Sequence, residues 1–112
     1  MNKRISTRFF SKQQENKVAE IINGRTTPNS GATKYQKGDV SSSGEESWLL
    51  ECKTCMTPKQ SFSIRKQWLE DIREEALQAG KMNYAVVFSF GPKQENYYIL
   101  SEKKFRELFE QD

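Results

Sequence analysis

Asp39, Glu51 and Lys53 are the residues of this 112-residue chain whose types and spacing could do chemistry. Glu51-Cys52-Lys53 is an E-x-K tripeptide, and positions i and i+2 share a face on a β-strand but not on a helix. The tripeptide alone says little, because Glu15-Asn16-Lys17 and Glu102-Lys103-Lys104 repeat it. The middle copy falls on an expected strand and has an aspartate on the preceding strand of a hairpin, twelve positions earlier. Two carboxylates brought together at one end of a hairpin repel and raise each other's pKa unless a cation lies between them. Mg2+ prefers hard oxygen ligands and keeps several waters, so Asp39, Glu51 and the main-chain carbonyl of Cys52 make a partial shell that nucleic-acid phosphate oxygens would complete. Lys53, on the same face, would orient or help deprotonate the attacking water, or stabilise charge developing on the phosphorane. That is the arrangement metal-assisted phosphodiester hydrolysis requires. The plain alternative is a same-face ion pair worth about a few tenths of a kcal/mol.

The composition narrows the chemistry further. The chain has no histidine, which excludes a Ser-His or Cys-His nucleophile, a histidine base and a mixed Cys/His zinc site. Carboxylates and lysines must carry any catalysis. The two cysteines form a C-x-x-C, Cys52 to Cys55, but Pro58 interrupts the helix that a thioredoxin-like pair would need, and zinc would require a second pair from another subunit. Buried or incidental thiols are the simpler reading. The net charge of +3 hides an asymmetry: residues 1 to 40 hold eight basic against three acidic residues, and residues 41 to 112 hold ten against twelve. A basic front fits a phosphate-binding face or arm, with a solvated tail as the alternative. The length suits one domain, residues 1–112, with residues 1–10 as a basic N-terminal arm. No apolar run approaches the roughly 18 residues of a membrane span. The start lacks the apolar centre of a secretory signal, so the expectation is a cytoplasmic protein with no membrane partner.

These residues need elements to hold them. Ser11 to Asn23 reads as a helix with Val18, Ile21 and Ile22 on its apolar stripe, Glu15 one turn before Val18, and Gly24 as the stop signal. Gly24 to Lys37 reads as a loop whose Lys34 and Lys37 make it basic enough to meet phosphates. Gly38 to Ser42 and Ser47 to Lys53 form a hairpin across the turn SSSGEE, which gives Glu45 and Glu46 no chemical role. Alternation puts Leu49, Glu51 and Lys53 on one face and Trp48, Leu50 and Cys52 on the other. Residues 62 to 79 read as the longest helix, with Ile64, Trp68, Ile72 and Ala76 spaced by four, Leu69 beside them, and Gly80 at its end. MNYAVVFSF has the pattern of a strand covered on both faces, YYIL makes another strand, and SEKKFRELFEQ is a serine-capped helix with Phe105, Leu108 and Phe109 on one side. The order α-β-β-α-β-β-α implies an α/β fold, a central mixed sheet flanked by helices.

The stretch GDV, a hairpin and then ECK resembles the signature of the PD-(D/E)XK nuclease superfamily, with Gly38 in place of the usual proline. Within it the chain is similar to the archaeal-type Holliday-junction resolvases over roughly residues 11 to 90, through QENKVAEII, NSGATKYQKGDV, WLLECKT, SIRKQWLEDIREEALQAG and YAVVFSF. The resemblance implies a restriction-endonuclease-like sheet and a Mg2+-dependent endonuclease, with Mn2+ able to substitute, that cuts branched DNA such as a four-way junction; the alternatives are a nicking, flap or repair nuclease of the same superfamily, or a catalytically silent nucleic-acid-binding module. It implies Asp39 and Glu51 as metal ligands, Lys53 as the catalytic lysine, and Glu15 as a ligand directly or through water. Ser30, Arg65 and Lys66 would contact phosphates. Asn16 stands where the family often has an arginine, which removes one DNA contact.

The family's members are symmetric dimers, so the resemblance also implies a homodimer with one site per subunit. The Phe105, Leu108, Phe109 stripe is either its interface or a face docked on the sheet. Lys3, Arg4, Arg8 and Lys12 would embrace backbone phosphates, or form a free tail. Recognition would be of shape rather than of base sequence, since no recognition-helix or zinc-finger pattern is present.

Overall fold

A computed structural model describes residues 7–27 and 38–110. In chain order the elements are α1 (Thr7–Ile21), β1 (Arg25–Thr26), β2 (Val40–Ser41), β3 (Trp48–Lys53), α2 (Lys66–Gln78), β4 (Asn83–Ser89), β5 (Asn96–Ile99) and α3 (Glu102–Phe109). The five strands lie in one mixed sheet in the order β1-β2-β3-β4-β5. Only β3 and β4 run parallel, and α2 is the crossover between them. The protein is therefore α/β with a central mixed sheet. Among the described residues no helix is long and apolar enough to cross a membrane.

The sheet separates two apolar layers because β3 and β4 alternate in register. Leu50, Ala85 and Val87 face α1 and pack with Val18, Ala19 and Val40. Leu49 and Val86 face α2 and pack with Ile72 and Ala76. Ala85, Val86 and Val87 are all fully buried, as the continuous apolar run in β4 predicts for a strand covered on both sides. Each fully buried Leu, Ile or Val is worth about 1.5–3 kcal/mol over an exposed one, so these two layers fix the register of the central strands.

The hairpin predicted from sequence forms, with Val40 paired to Leu50 and Ser41 to Leu49, and its first strand is only the two residues Val40–Ser41. Its turn uses Gly44 at φ +102°, where a side chain would be strained. Gly38, which stands where the resembled family carries proline, has a packing reason. A Cβ there would sit 2.6 Å from the Cγ of buried Leu49. Gly80 ends α2 in the left-handed conformation, with the Lys81 amide bonded to the Ala76 carbonyl at 2.8 Å.

The structure corrects four expectations. The first helix begins at Thr7, so residues 7–10 are its opening turn rather than part of an arm. Phe10 lies four residues before Gln14 and eight before Val18, and so continues the inward face past Ser11. That helix ends with Asn23, not Gly24, in the left-handed region at φ 55°. Gly24 is needed instead for its close approach to the Ser41 carbonyl. Arg25–Thr26, read as loop, pairs with β2 as a two-residue edge strand. The longest helix is α1, and α2 starts only at Lys66: Phe62 stacks on Phe88 at 5.2 Å, and Ile64 is left exposed outside the helix. Lys3, Arg4, Ser30, Lys34 and Lys37, all expected to touch DNA, lie outside the described residues.

Gly38→Ala should destabilise the fold by about 1–3 kcal/mol, because the added methyl must displace Leu49 from a filled layer. Ser43→Ala, in the exposed turn, should change little. Urea melts of both variants check this, and equal midpoints would contradict the packing account.

Candidate active site

β3 is the central strand of the sheet: β2 pairs with its Leu49 and Leu50, and β4 runs beside it from Trp48 to Lys53, so Glu51 and Lys53 stand on the central strand just past the end of its pairing with β2. Alternation puts both side chains on the α2 face, where Lys53 Nζ lies 3.3 Å from Glu51 Oε2. Only 24% of the Glu51 side chain and 30% of the Lys53 side chain are exposed, which separates this pair from an ordinary surface ion pair. Lys53 is also held from above, its ammonium 4.6 Å from the centre of the Trp68 ring on α2.

Asp39 precedes β2 directly across from this pair. Its amide bonds to the Leu50 carbonyl at 2.9 Å, and its carboxylate oxygen Oδ2 accepts a 2.8 Å hydrogen bond from the Cys52 amide. The acid is thereby clamped to β3 on either side of Glu51. Glu15 comes from α1. Its neighbour Gln14 is buried and donates through Nε2 to the Lys53 carbonyl at 2.8 Å and to Asn96 Oδ1 at 3.2 Å, which ties α1 to the end of β3.

Charge shows how these groups sense one another. Burial and then the Asp39 charge push the Glu51 carboxyl from its ordinary 4.5 up to about 7, even against the opposing pull of Lys53. Burial and then Asp39 also raise Glu15 from 4.5 to about 7, while Lys12 and Arg8 pull it down. Asp39 is thus the shared neighbour of two acids that come from different layers. The attraction between Glu51 and Lys53 is thus opposed by the two larger influences on that carboxyl, burial and the Asp39 charge.

The donor set is all oxygen, which fits a hard divalent cation. Asp39 and Glu51, with Glu15 approaching from α1, are the side chains that would hold it. Among the described residues no three His, Cys, Asp or Glu side chains converge on one point. Mg2+ does not require such a cage, since it binds through one or two carboxylates and completes its shell with waters and phosphate.

The remaining expected residues are distributed around this centre. Arg8 and Lys12 are exposed on α1, on the Glu15 side. Arg65 is the N-cap residue of α2, and Lys66, its first residue, makes a loose 4.0 Å pair with Glu70. Cys52 and Cys55 are free thiols. Burial, followed by the charges of Asp39, Glu15 and Glu51, pushes the Cys52 thiol upward, so it stays protonated and unsuited to attack or metal binding.

Three contributors escape the sequence reading: Gln14, Trp68 as the partner of Lys53, and Glu75, whose charge further raises Glu51. A signal existed for two of them. Gln14 lies four residues before Val18, and Glu75 three after Ile72, so each is a polar side chain on an apolar helix face. Glu46, given no role from sequence, forms a 3.7 Å ion pair with Lys104 and so helps seat α3. No protein-family model, curated protein or solved structure matches this chain.

Glu15 and Glu51 hold protons more tightly in the fold than in the open chain. Protonation therefore favours the fold, and stability falls as pH rises from about 4.5 to about 7, above which the loss is complete. Thermal melts of chelator-treated protein should show Tm dropping across this window. Millimolar Mg2+ should raise Tm more at the alkaline end, where it does not compete with protons. A Tm that climbs with pH, or equal stabilisation by Mg2+ at both ends, would contradict the site.

Proposed function

We propose that this protein is a Mg2+-dependent, structure-selective DNA endonuclease of the restriction-endonuclease-like type, hydrolysing phosphodiester bonds at branched DNA, four-way junctions foremost. The observation that carries the reading is the clamped Asp39 opposite Glu51, with Lys53 on the same face and two of the nearby carboxyls raised to about 7. A structural ion pair would not need a second and third acid that oppose it.

The chain's own groups divide the work. Asp39, Glu51, the Cys52 carbonyl and Glu15 would hold the cation, with Mn2+ able to take the place of Mg2+. Once bound, the cation would acidify a water molecule and neutralise the scissile phosphate. Lys53 keeps its ammonium against Glu51 and the Trp68 ring, where it can orient the attacking water and meet charge developing on phosphorus. Arg65 and Lys66, exposed at the start of α2, supply phosphate contacts at the positive end of a helix. Arg8 and Lys12 supply further ones from α1. A homodimer accords with this reading because a junction offers two equivalent strands. The exposed Phe105, Leu108 and Phe109 of α3 are its candidate interface, and α3 buries none of its residues on the sheet.

Asp39→Asn and Glu51→Gln should each reduce Mg2+-dependent nicking of a four-way junction by roughly 10²–10³-fold or more, while junction affinity in chelator stays within a few-fold. Undiminished cleavage by both variants would overturn the proposal. Replacing Arg8 and Lys12 by alanine should flatten the salt dependence of junction binding by about one unit of log–log slope per lost phosphate contact. An unchanged slope would remove α1 from the DNA interface.

A further inference from the structure

Lys53, Phe88 and Tyr97 occupy successive register positions on β3, β4 and β5, so the three side chains form one row across the α2 face of the sheet. The preceding row, Glu51, Val86 and Ile99, is covered by α2 through Trp68 and Ile72. The helix begins only at Lys66, and the Phe88–Tyr97 row lies outside the apolar layer that it seals. What lies there is a stack of rings. Phe62 and Phe88 are 5.2 Å apart at 29°, Phe88 and Tyr97 are 5.6 Å apart at 30°, and Phe90 meets both of the latter edge-on. None of these rings is fully buried, and the run ends at Tyr97, 47% exposed on the edge strand β5.

A core cluster left half open is one way to read such rings, and their surroundings argue for a different one. The Lys59 amide donates to the Phe90 carbonyl at 2.8 Å, which brings an exposed lysine to the same end of the sheet. Arg65 stands at the N-terminus of α2, whose Trp68 ring lies 6.1 Å from Phe62. Neither Lys59 nor Arg65 has a carboxylate within ion-pair distance among the described residues. Protein-protein interface cores are depleted in lysine, whereas stacked rings bordered by uncompensated cations are what unpaired nucleic acid meets on its binding proteins. Adjacent strands are about 4.8 Å apart, so Tyr97 lies about 10 Å across the row from Lys53, the span of roughly three stacked nucleotides at ~3.4 Å each.

We infer that this row is a stacking platform for unpaired nucleotides: bases flanking the cut strand continue the ring stack at Tyr97 while Lys59 and Arg65 hold their phosphates. The inference rests on the nuclease reading for where the strand is cut, and it narrows the substrate to branched or gapped DNA that presents a few unpaired nucleotides beside the scissile bond. Fully paired duplex would lack the free bases to continue the stack beyond Tyr97.

The test is binding by the full chain in chelator, followed by fluorescence anisotropy, with labelled oligothymidylate, a duplex, and a duplex carrying a gap of about three nucleotides as probes. Oligothymidylate and the gapped duplex should bind more tightly than the intact one. Tyr97→Ala should weaken both by about 5- to 100-fold and leave duplex affinity unchanged, and Tyr97→Phe should restore binding. A fluorescent adenine analogue in the gap should be quenched by the native chain and by Tyr97→Phe, but not by Tyr97→Ala. Equal affinity of Tyr97→Ala for the unpaired probes, equal loss on all three probes, or no DNA binding at all would overturn the platform. A fall from dimer to monomer on Tyr97→Ala by light scattering would also overturn it, since the row would then be an interface between copies. Binding to unpaired DNA through Tyr97, with no cleavage in Mg2+ or Mn2+, would remove the nuclease reading and keep the platform. Junction cleavage that survives with unpaired binding indifferent to Tyr97 would do the reverse.

Discussion

A strand hydrogen-bonded on both edges and packed on both faces cannot slip by one residue without turning its whole apolar set outward, and β3 is such a strand. Leu49 and Leu50 are its locks, one under each helix layer. Everything of chemical interest is placed relative to them. Two residues beyond Leu49 comes Glu51, two more bring Lys53, and the intervening Cys52 supplies the amide that clamps Asp39. The acids keep their positions because the leucines keep theirs.

The electrostatics of the site follow from that rigidity. In a flexible loop, acids raised by a neighbour's charge would swing apart and return to ordinary behaviour. Here Asp39 is held by three hydrogen bonds to main-chain groups of Thr27, Leu50 and Cys52, and Glu51 projects from the central strand, so neither relaxes. The tension is therefore built into the fold, and a cation or a proton relieves it. Lys53 alone does not, because burial outweighs its attraction for Glu51.

Much of this was legible in the sequence, for reasons tied to particular residues. The hairpin, the shared face of Glu51 and Lys53, the doubly covered β4, the Gly80 stop and the Ser101 cap, whose hydroxyl accepts from the Lys104 amide at 3.1 Å, all rest on local periodicity or local caps. What stayed hidden depends on contacts between distant segments. Two-residue β1 has no period to detect. Ile64 fits a helical stripe, yet Phe62 packs between Trp68 and Phe88, and the chain there stays outside the helix. Gln14 bridges to Lys53 across 39 positions of chain, and nothing near residue 14 announces it beyond a polar side chain on an apolar face. Trp68 reads simply as core, although its ring also holds the lysine in place.

The seating of α3 has a consequence for how the molecule opens. The helix buries no residue of its own, and its attachments are a serine cap, a 3.7 Å ion pair from Lys104 to Glu46 and the same ammonium 5.3 Å from the Trp48 ring. Opening that short helix of about two turns costs only those few contacts, whereas opening β3 costs both apolar layers at once. Amide hydrogens of α3 should thus exchange with solvent through small, local fluctuations, while those of the strand bearing Glu51 and Lys53 wait for the whole sheet to come apart. The chain can breathe at its last helix without disturbing the geometry of its acids.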